Sequence, residues 1–276
     1  MIEYAKAHAC GNDFLVVETA PRREEHERAL AIALCARTTG VGADGVEFLE
    51  WDGQYAGTIR LRNADGGIAE ISGNGTRCVA MWMAHQAQAE PGSTFVLTTD
   101  AGPRSCTLVA RTGANALFRT SMGVPTAEWI ALELPEQGIT VEGAVIFTGN
   151  PHFVIRVDDE QFGVNGFDWQ TIGHAICFHP YFPQQTNVEF IRVLSESEVE
   201  LRIFERGVGP TTSSGTGTCA AGTAAIRFHR CHRALRVHAP GGTQEIHWPS
   251  DEREIELTGP ATLIAEGRVF LEAAAE

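Results

Sequence analysis

The sequence predicts an α/β (α+β) protein made of two similar halves. Three observations carry this. Strand-like alternation and helix-like stretches follow one another along the whole chain. Two short landmarks recur in the same order: Gly-Asn at 11–12 and 149–150, then Ser-Gly-x-Gly-Thr, 61 residues after the first and 65 after the second. Such matched spacing is the mark of internal duplication. The length of 276 residues also exceeds the usual single domain.

The elements read in order as follows. Ile2 to Lys6 and Phe14 to Glu18 are strand-like. Arg22 to Arg37 is helical, with Leu30, Ile32 and Leu34 apolar and an acidic and basic outer face. The run "TIRLRNADG" is a strand ending in a turn, and Asn74 to Gln88 is a helix, apolar through Val79, Met81, Trp82 and Met83. The segments "TFVLTT", "RSCTLVA" and "NALFRTSM" return to strands. The second half starts near Gly123. There "VIFTGNPHFVIRV" is strand, turn and strand, Asp168 to Cys177 is a short helix, and "NVEFIRVL" and "EVELRIFERG" alternate as strands. Gly215 to Arg230 is an alanine-rich helix, followed by four further strand patterns. The expected domains are 1–120, completed by a C-terminal strand over 264–276, and 121–263.

Composition excludes several function classes. The 35 acidic against 21 basic residues leave a net charge of −14, which opposes a nucleic acid or anionic membrane partner. The N-terminus lacks a signal-peptide pattern, and no apolar run reaches membrane-spanning length. Seven cysteines without a C-x-x-C pair fit reduced thiols and a cytoplasmic location. The ten histidines show no metal spacing, so no metal is expected. Lys6 is the one lysine, and its place in an N-terminal strand argues against a Schiff-base cofactor.

The Ser-Gly-x-Gly-Thr loops, led by Ser72 and Ser214, each precede a helix. Their glycines allow close backbone approach to a ligand, and first-turn N–H groups attract a carboxylate. Serine alone would serve as an N-cap; two matched loops favour a site. "GVGADG" (Gly40 to Gly45) follows a helix rather than opening one, so Gly40 is read as a helix C-cap and not as a nucleotide loop. "FERGVG" places Glu205 and Arg206 at a strand end, where the arginine can hold a carboxylate or form a surface ion pair. "GNPHFV" offers Asn150 and His152 at a shared landmark. Arg60, Arg62 and Glu70 read as surface charges.

The stretches "KAHACGNDF", "GVGADGV", "LRNADGGIAEISGNGTRC", "GNPHFV", "FPQQTNVEF" and "ERGVGPTTSSGTGT" resemble, in order and across essentially the full length, the diaminopimelate epimerase family. The resemblance implies two pseudo-symmetric domains, each a β-sheet wrapped around a central helix, with the active site in the cleft between them. It implies inversion of an amino-acid α-carbon without cofactor by two proton-transfer groups, one at each helix N-terminus. Carried over, the proton-transfer positions are Ser72 and Ser214, tuned by His152 and Glu205. Asn12, Asn63, Asn150, Asn187, Glu205 and Arg206 would bind substrate, and Gly73, Asn74, Gly215 and Thr216 would supply N–H groups. The expected partner is a small amino acid, with a homodimer possible in this family, and the expected pathway is lysine and peptidoglycan precursor synthesis.

The departures are specific. Serines stand at both positions where the family carries catalytic cysteines. Ala7, Ala9 and Cys10 replace the usual residues before Asn12, Pro210 and Thr211 replace Glu-Thr, and Gly45 replaces a glutamine ligand of some members. A hydroxyl is a far weaker acid than a thiol and needs an adjacent base. Three readings follow: serines engineered into a diaminopimelate epimerase to trap a substrate complex; natural serines with His152, Glu205 or Cys10 as base, giving a slow epimerase or a single-base isomerase or dehydratase of a related amino acid; or an amino-acid-binding protein without turnover. Cys78 and Cys219, deep in their helices, read as packing residues.

Overall fold

The computed structural model describes residues 1–19, 23–69 and 72–271; Arg22, at the expected start of the first helix, and Glu70 lie outside them. The chain divides into two compact units, Met1–Thr120 with the segment from Gly259, and Ser121–Thr258. The fold is mixed α+β and rich in strand.

The first unit contains β1 (Ile2–Ala9), β2 (Asn12–Glu18), α1 (Glu24–Cys35), β3 (Gly45–Gly53), β4 (Ala56–Asn63), β5 (Ile68–Ala69), α2 (Gly73–Gln86), β6 (Thr94–Thr99), β7 (Gly102–Thr112), β8 (Asn115–Ser121) and most of β17 (Glu256–Val269). β1 and β2 form a hairpin closed by Ala9 and Asn12, and Cys10 and Gly11 between them both have positive φ, the two-residue turn that matches strand twist. β2 lies parallel to β3 across α1, and β4 parallel to β6 across α2. Antiparallel pairs join β3 to β4, β6 to β7 and β7 to β8. β17 pairs with both β1 and β8, which closes eight of these nine strands, all but the short β5, into a ring.

The second unit repeats this plan. It contains β9 (Thr126–Leu134), β10 (Ile139–Phe147), β11 (Pro151–Arg156), α3 (Trp169–Cys177), β12 (Asn187–Ser195), β13 (Glu198–Glu205), β14 (Gly209–Thr211), α4 (Gly215–His229), β15 (Ala234–Ala239), β16 (Gly242–His247) and the start of β17. Again the first two parallel strands, β11 and β12, flank an outer helix, and the second pair, β13 and β15, flank the central one. Backbone bonds of 2.9 Å from Met122 to Ile255 and from Ile255 to Gly123 join the approach to β9 with that to β17.

Two kinds of helix follow from two patterns of burial. α1 buries one face, with Leu30, Ala31, Leu34 and Cys35 against Leu15, Val17, Val46 and Phe48. α2 buries every residue from Gly73 to Ala84, and α4 every residue from Gly215 to Ile226. A helix apolar on all sides must lie inside its unit. Strand alternation then sorts side chains between the two cores. Val16 and Leu49 pack with α2, while Leu15, Val17 and Phe48 pack with α1.

All four helices lie within two residues of the expected bounds. Asp168 caps α3 by accepting from Thr171 N at 2.8 Å. Two sequence expectations are corrected. Gly40 is not the C-cap of α1; Ala36 is, and Gly40 packs so closely over the last turn that a Cβ would stand 2.2 Å from Ala33 O. Arg60 and Arg62 are not surface charges. They reach from β4 to the buried Glu27 of α1 at 2.8 and 3.3 Å, and Arg62 is only 6% exposed, because alternation turns both side chains beneath the helix. All seven cysteines are buried and none forms a disulfide. Among the described residues no helix is long and apolar enough to cross a membrane.

Met81 is fully buried in the core around α2. Met81→Ala should lower stability by about 2–5 kcal/mol, measured as a fall in the urea midpoint at unchanged m value.

Candidate active site

The polar residues of each unit gather at the N-terminus of its central helix. Ser72 caps α2: its backbone is extended (φ −127°), its Oγ accepts from Gly75 N at 3.0 Å, and its carbonyl accepts from Thr76 N at 2.8 Å. Ser214 caps α4 in the same way, with Oγ accepting from Gly217 N at 3.2 Å and its carbonyl accepting from Thr218 N at 3.0 Å. Thr76 and Thr218 each add a hydroxyl bond to the same carbonyl, at 2.7 and 2.6 Å. The helix-cap reading of both serines therefore holds.

In the first unit a chain of amides runs from the helix into the hairpin. Arg77 donates to Asn74 Oδ1 at 2.5 Å, Asn74 Nδ2 donates to Asn12 Oδ1 at 3.3 Å, and Asn12 Nδ2 donates to Asp44 at 2.7 Å. Arg37 ties Asp44 to Asp13 with contacts of 2.7 and 3.1 Å. Burial works to raise the Asp13 carboxyl, but hydrogen bonds and charges from Lys6 and Arg37 hold it below its usual range. Lys6 is thereby committed to Asp13 at 2.9 Å and to Gly42 O at 2.6 Å. Asn63 ends β4 exposed, its backbone bonded to Gly66 and Gly67.

The second unit places four titratable or polar groups together. His152, fully buried, has Nδ1 2.7 Å from Glu189 Oε1 and Nε2 2.8 Å from Asn150 Oδ1. An amide oxygen only accepts, so Nε2 carries a proton and the Nδ1–Glu189 contact holds one more. Burial raises the Glu189 carboxyl, with His152 opposing. Burial likewise raises Glu205, offset by a bond from Thr211 at 2.9 Å and by the Ser214 hydroxyl. Asn150 Nδ2 reaches the Thr216 hydroxyl at 3.5 Å. Asn187 begins β12 beside His152 and accepts from Arg206 N at 2.9 Å. The Arg206 guanidinium is exposed and donates to Gln184 O at 3.0 Å.

Sequence reasoning missed two carboxyls. Glu47 and Glu189 occupy the same place in β3 and β12, and both side chains point toward their central helix. A Cβ at Gly75 would stand 2.0 Å from Glu47 Oε1 and 3.3 Å from Ser72 Cβ. A Cβ at Gly217 would stand 2.8 Å from Glu189 Oε1 and 3.3 Å from Ser214 Oγ. The second glycine of each Ser-Gly-x-Gly-Thr word is thus required by a carboxyl and a serine meeting over it. Register pairs show why the two acids differ: Glu189 lies two residues along from His152's partner, while Phe14 stands where that histidine would be in the first unit. Glu47 is 1% exposed, and neither of its oxygens has a hydrogen-bond partner among the described residues. Burial, with the Asp100 charge, pushes it up to about 8. The repeated Val-Glu-Phe, an acid inside an apolar strand, is the signal that could have found both.

Burial raises the thiols of both Cys10 and Cys78 despite the charge of Arg77. Among the described residues no group of three His, Cys, Asp or Glu is arranged to hold a metal.

The sequence pattern of the family described as diaminopimelate epimerase matches residues 4–127 and 144–264. The chain belongs to the diaminopimelate epimerase family. It is 35% identical over 285 residues to the diaminopimelate epimerase of Microcystis aeruginosa, covering 96% of this chain and 98% of that one. It is 36% identical over 286 residues to that of Desulfitobacterium hafniense, covering 98% and 99%. Among solved structures, a hydroxyproline epimerase from Agrobacterium vitis, with bound trans-4-hydroxy-L-proline, superposes with a TM-score of 0.70 at 15% identity, covering 99% of this chain and 92% of that one. A phenazine biosynthesis protein of Bacillus anthracis superposes at 0.67 and 14% identity, covering 98% and 99%. These two likenesses show the fold.

Within this diaminopimelate epimerase fold, Glu47 makes a stability prediction of definite sign. Between pH 4.5 and about 8 the folded protein keeps a proton that the unfolded chain gives up. The native state then binds more protons, so stability falls as pH rises through that window. Glu47→Gln should flatten this part of the stability–pH curve relative to the unsubstituted protein, read from thermal midpoints at pH 5, 6.5 and 8.

Proposed function

We propose that the protein is a cofactor-independent epimerase converting LL-diaminopimelate to the meso isomer, within lysine and peptidoglycan precursor synthesis. The observation that carries this is the repeated helix end: in each unit a serine and a buried carboxyl meet over one glycine at the N-terminus of a buried helix. The proposed substrate α-carboxylate is received by the N–H groups of Gly73 and Asn74 and of Gly215 and Thr216, where helix dipoles favour negative charge. The same donors stabilise the charge that develops when the α-proton leaves. Asn12, Asn63, Asn150, Asn187 and Arg206 are the proposed contacts to the rest of the amino acid.

Ser214 is the better supplied of the two serines. Its hydroxyl acts to lower the carboxyl of Glu205, beside the His152–Glu189 pair, so a proton taken at Oγ has a route onward. Ser72 has no such bonded base among the described residues. This asymmetry supports, as second reading, an isomerase or dehydratase that removes one proton only.

Incubation with LL-diaminopimelate in D2O separates the readings. Exchange of the α-hydrogen with formation of meso product is expected. Exchange without inversion favours the single-base enzyme, and calorimetric binding without any exchange overturns catalysis. Ser72→Cys combined with Ser214→Cys should raise epimerisation at least ~100-fold, because a helix N-terminus stabilises a thiolate and not an alkoxide.

A further inference from the structure

We propose that Glu47 is the proton-transfer partner of Ser72, the first unit's counterpart of the His152–Glu189 pair beside Ser214. This rests on the epimerase reading and supplies the base that Ser72 otherwise lacks.

The geometry is duplicated. In both units a strand carboxyl and the capping serine meet over the third residue of the helix, and glycine there leaves the space between them clear. In the second unit the carboxyl is bonded to a histidine; in the first Phe14 takes the histidine's place and the carboxyl stands alone. A carboxyl buried for structural reasons alone is expected to be hydrogen-bonded, and Glu47 is bonded to nothing among the described residues. The cap uses Ser72 as an acceptor, from Gly75 N, so its hydroxyl proton is not spent on the cap.

The groups around Glu47 come from every neighbouring element. Val16 of β2 and Leu61 of β4 lie beside it in register. Asp100, in the turn after β6, adds negative charge. Arg77 and Cys78 of α2, with Asp13 and Cys10 from the β1–β2 hairpin, complete the charged and titratable surroundings of that helix end. Burial and Asp100 together place the carboxyl at about 8, so both its forms are populated near neutrality, where a general base works best.

In the proton-removing direction the substrate α C–H bond breaks and its proton bonds to Ser72 Oγ. Ser72 and Glu47 are not hydrogen-bonded to each other in this structure, so the Ser72 hydroxyl first turns onto Glu47. Its proton then passes to the Glu47 carboxylate, and the electron pair stays on the α-carbon and spreads into the substrate carboxylate. In the opposite direction neutral Glu47 returns a proton through Ser72 to the carbanion.

Two measurements test this, one without substrate. The thiol introduced by Ser72→Cys is alkylated with iodoacetamide across pH, with Glu47 present and in combination with Glu47→Gln. Loss of the neighbouring ionisable group, which titrates together with the thiol, should move the midpoint of reactivity by about one pH unit or more; equal midpoints overturn the proposal. The second is α-hydrogen exchange of LL-diaminopimelate in D2O. Glu47→Gln should slow it at least ~100-fold and remove the rise in rate as pH increases toward about 8. An unchanged rate and profile in Glu47→Gln overturns the proposal and leaves the epimerase reading intact. A shifted thiol midpoint with no exchange in the unsubstituted protein supports the link between Glu47 and residue 72 and overturns the epimerase reading instead.

Discussion

A helix buried on every side from its first residue has nowhere to hide its first turn. The leading N–H groups of α2 and α4 have no partners within the helix, and the surrounding strands are already paired to one another. They must be met by caps, by neighbouring polar side chains or by a ligand. Each unit meets part of this demand with one serine, which accepts from the third helical N–H, and with a threonine that bonds the serine's own carbonyl. The remaining donors collect the site around them. The eight-strand ring of the first unit matters for the same reason: closed on itself, it can enclose a helix on all sides and still leave one end of it open for chemistry.

The two units share this frame and differ in what they do with protons. Val-Glu-Phe places an acid against the helix end in β3 and again in β12. In the second unit His152 is bonded to that acid, Asn150 is bonded to the other ring nitrogen, and the charge of the acid acts on Glu205. In the first unit the amide chain from Arg77 through Asn74 and Asn12 ends on Asp44 and bypasses Glu47, which keeps its proton through burial and the charge of Asp100. Serine at position 72 and 214 makes this difference consequential. A hydroxyl at a helix N-terminus remains protonated, so proton transfer depends on the group behind it rather than on the atom itself.

Much of the frame was legible because it is periodic or local. Alternation marked the strands, the apolar stretch through Val79 and Met83 marked α2, and the serines marked both helix starts. The landmarks at Gly11-Asn12 and Gly149-Asn150 revealed the duplication because each serves a hairpin turn, where positive φ restricts the choice of residue. His152, Asn150, Asn187 and Glu205 were legible as motif residues, and the structure brings them to one helix end. Arg60 and Arg62 were misread because a charge in an alternating strand looks exposed until an outer helix is placed over it with Glu27 at the right height.

Residue order alone therefore settled the two-unit plan, the helix and strand content and the serine-led helix starts, all of which rest on neighbours a few positions apart. Tertiary structure decided the rest. Closure of strands from β1 to β17 turned α2 into a buried helix, and parallel pairing of β2 with β3 set Glu47 beside Phe14 rather than a histidine. The proton state of Glu47 follows from burial and from Asp100, more than fifty residues away along the chain, and no local pattern encodes that distance.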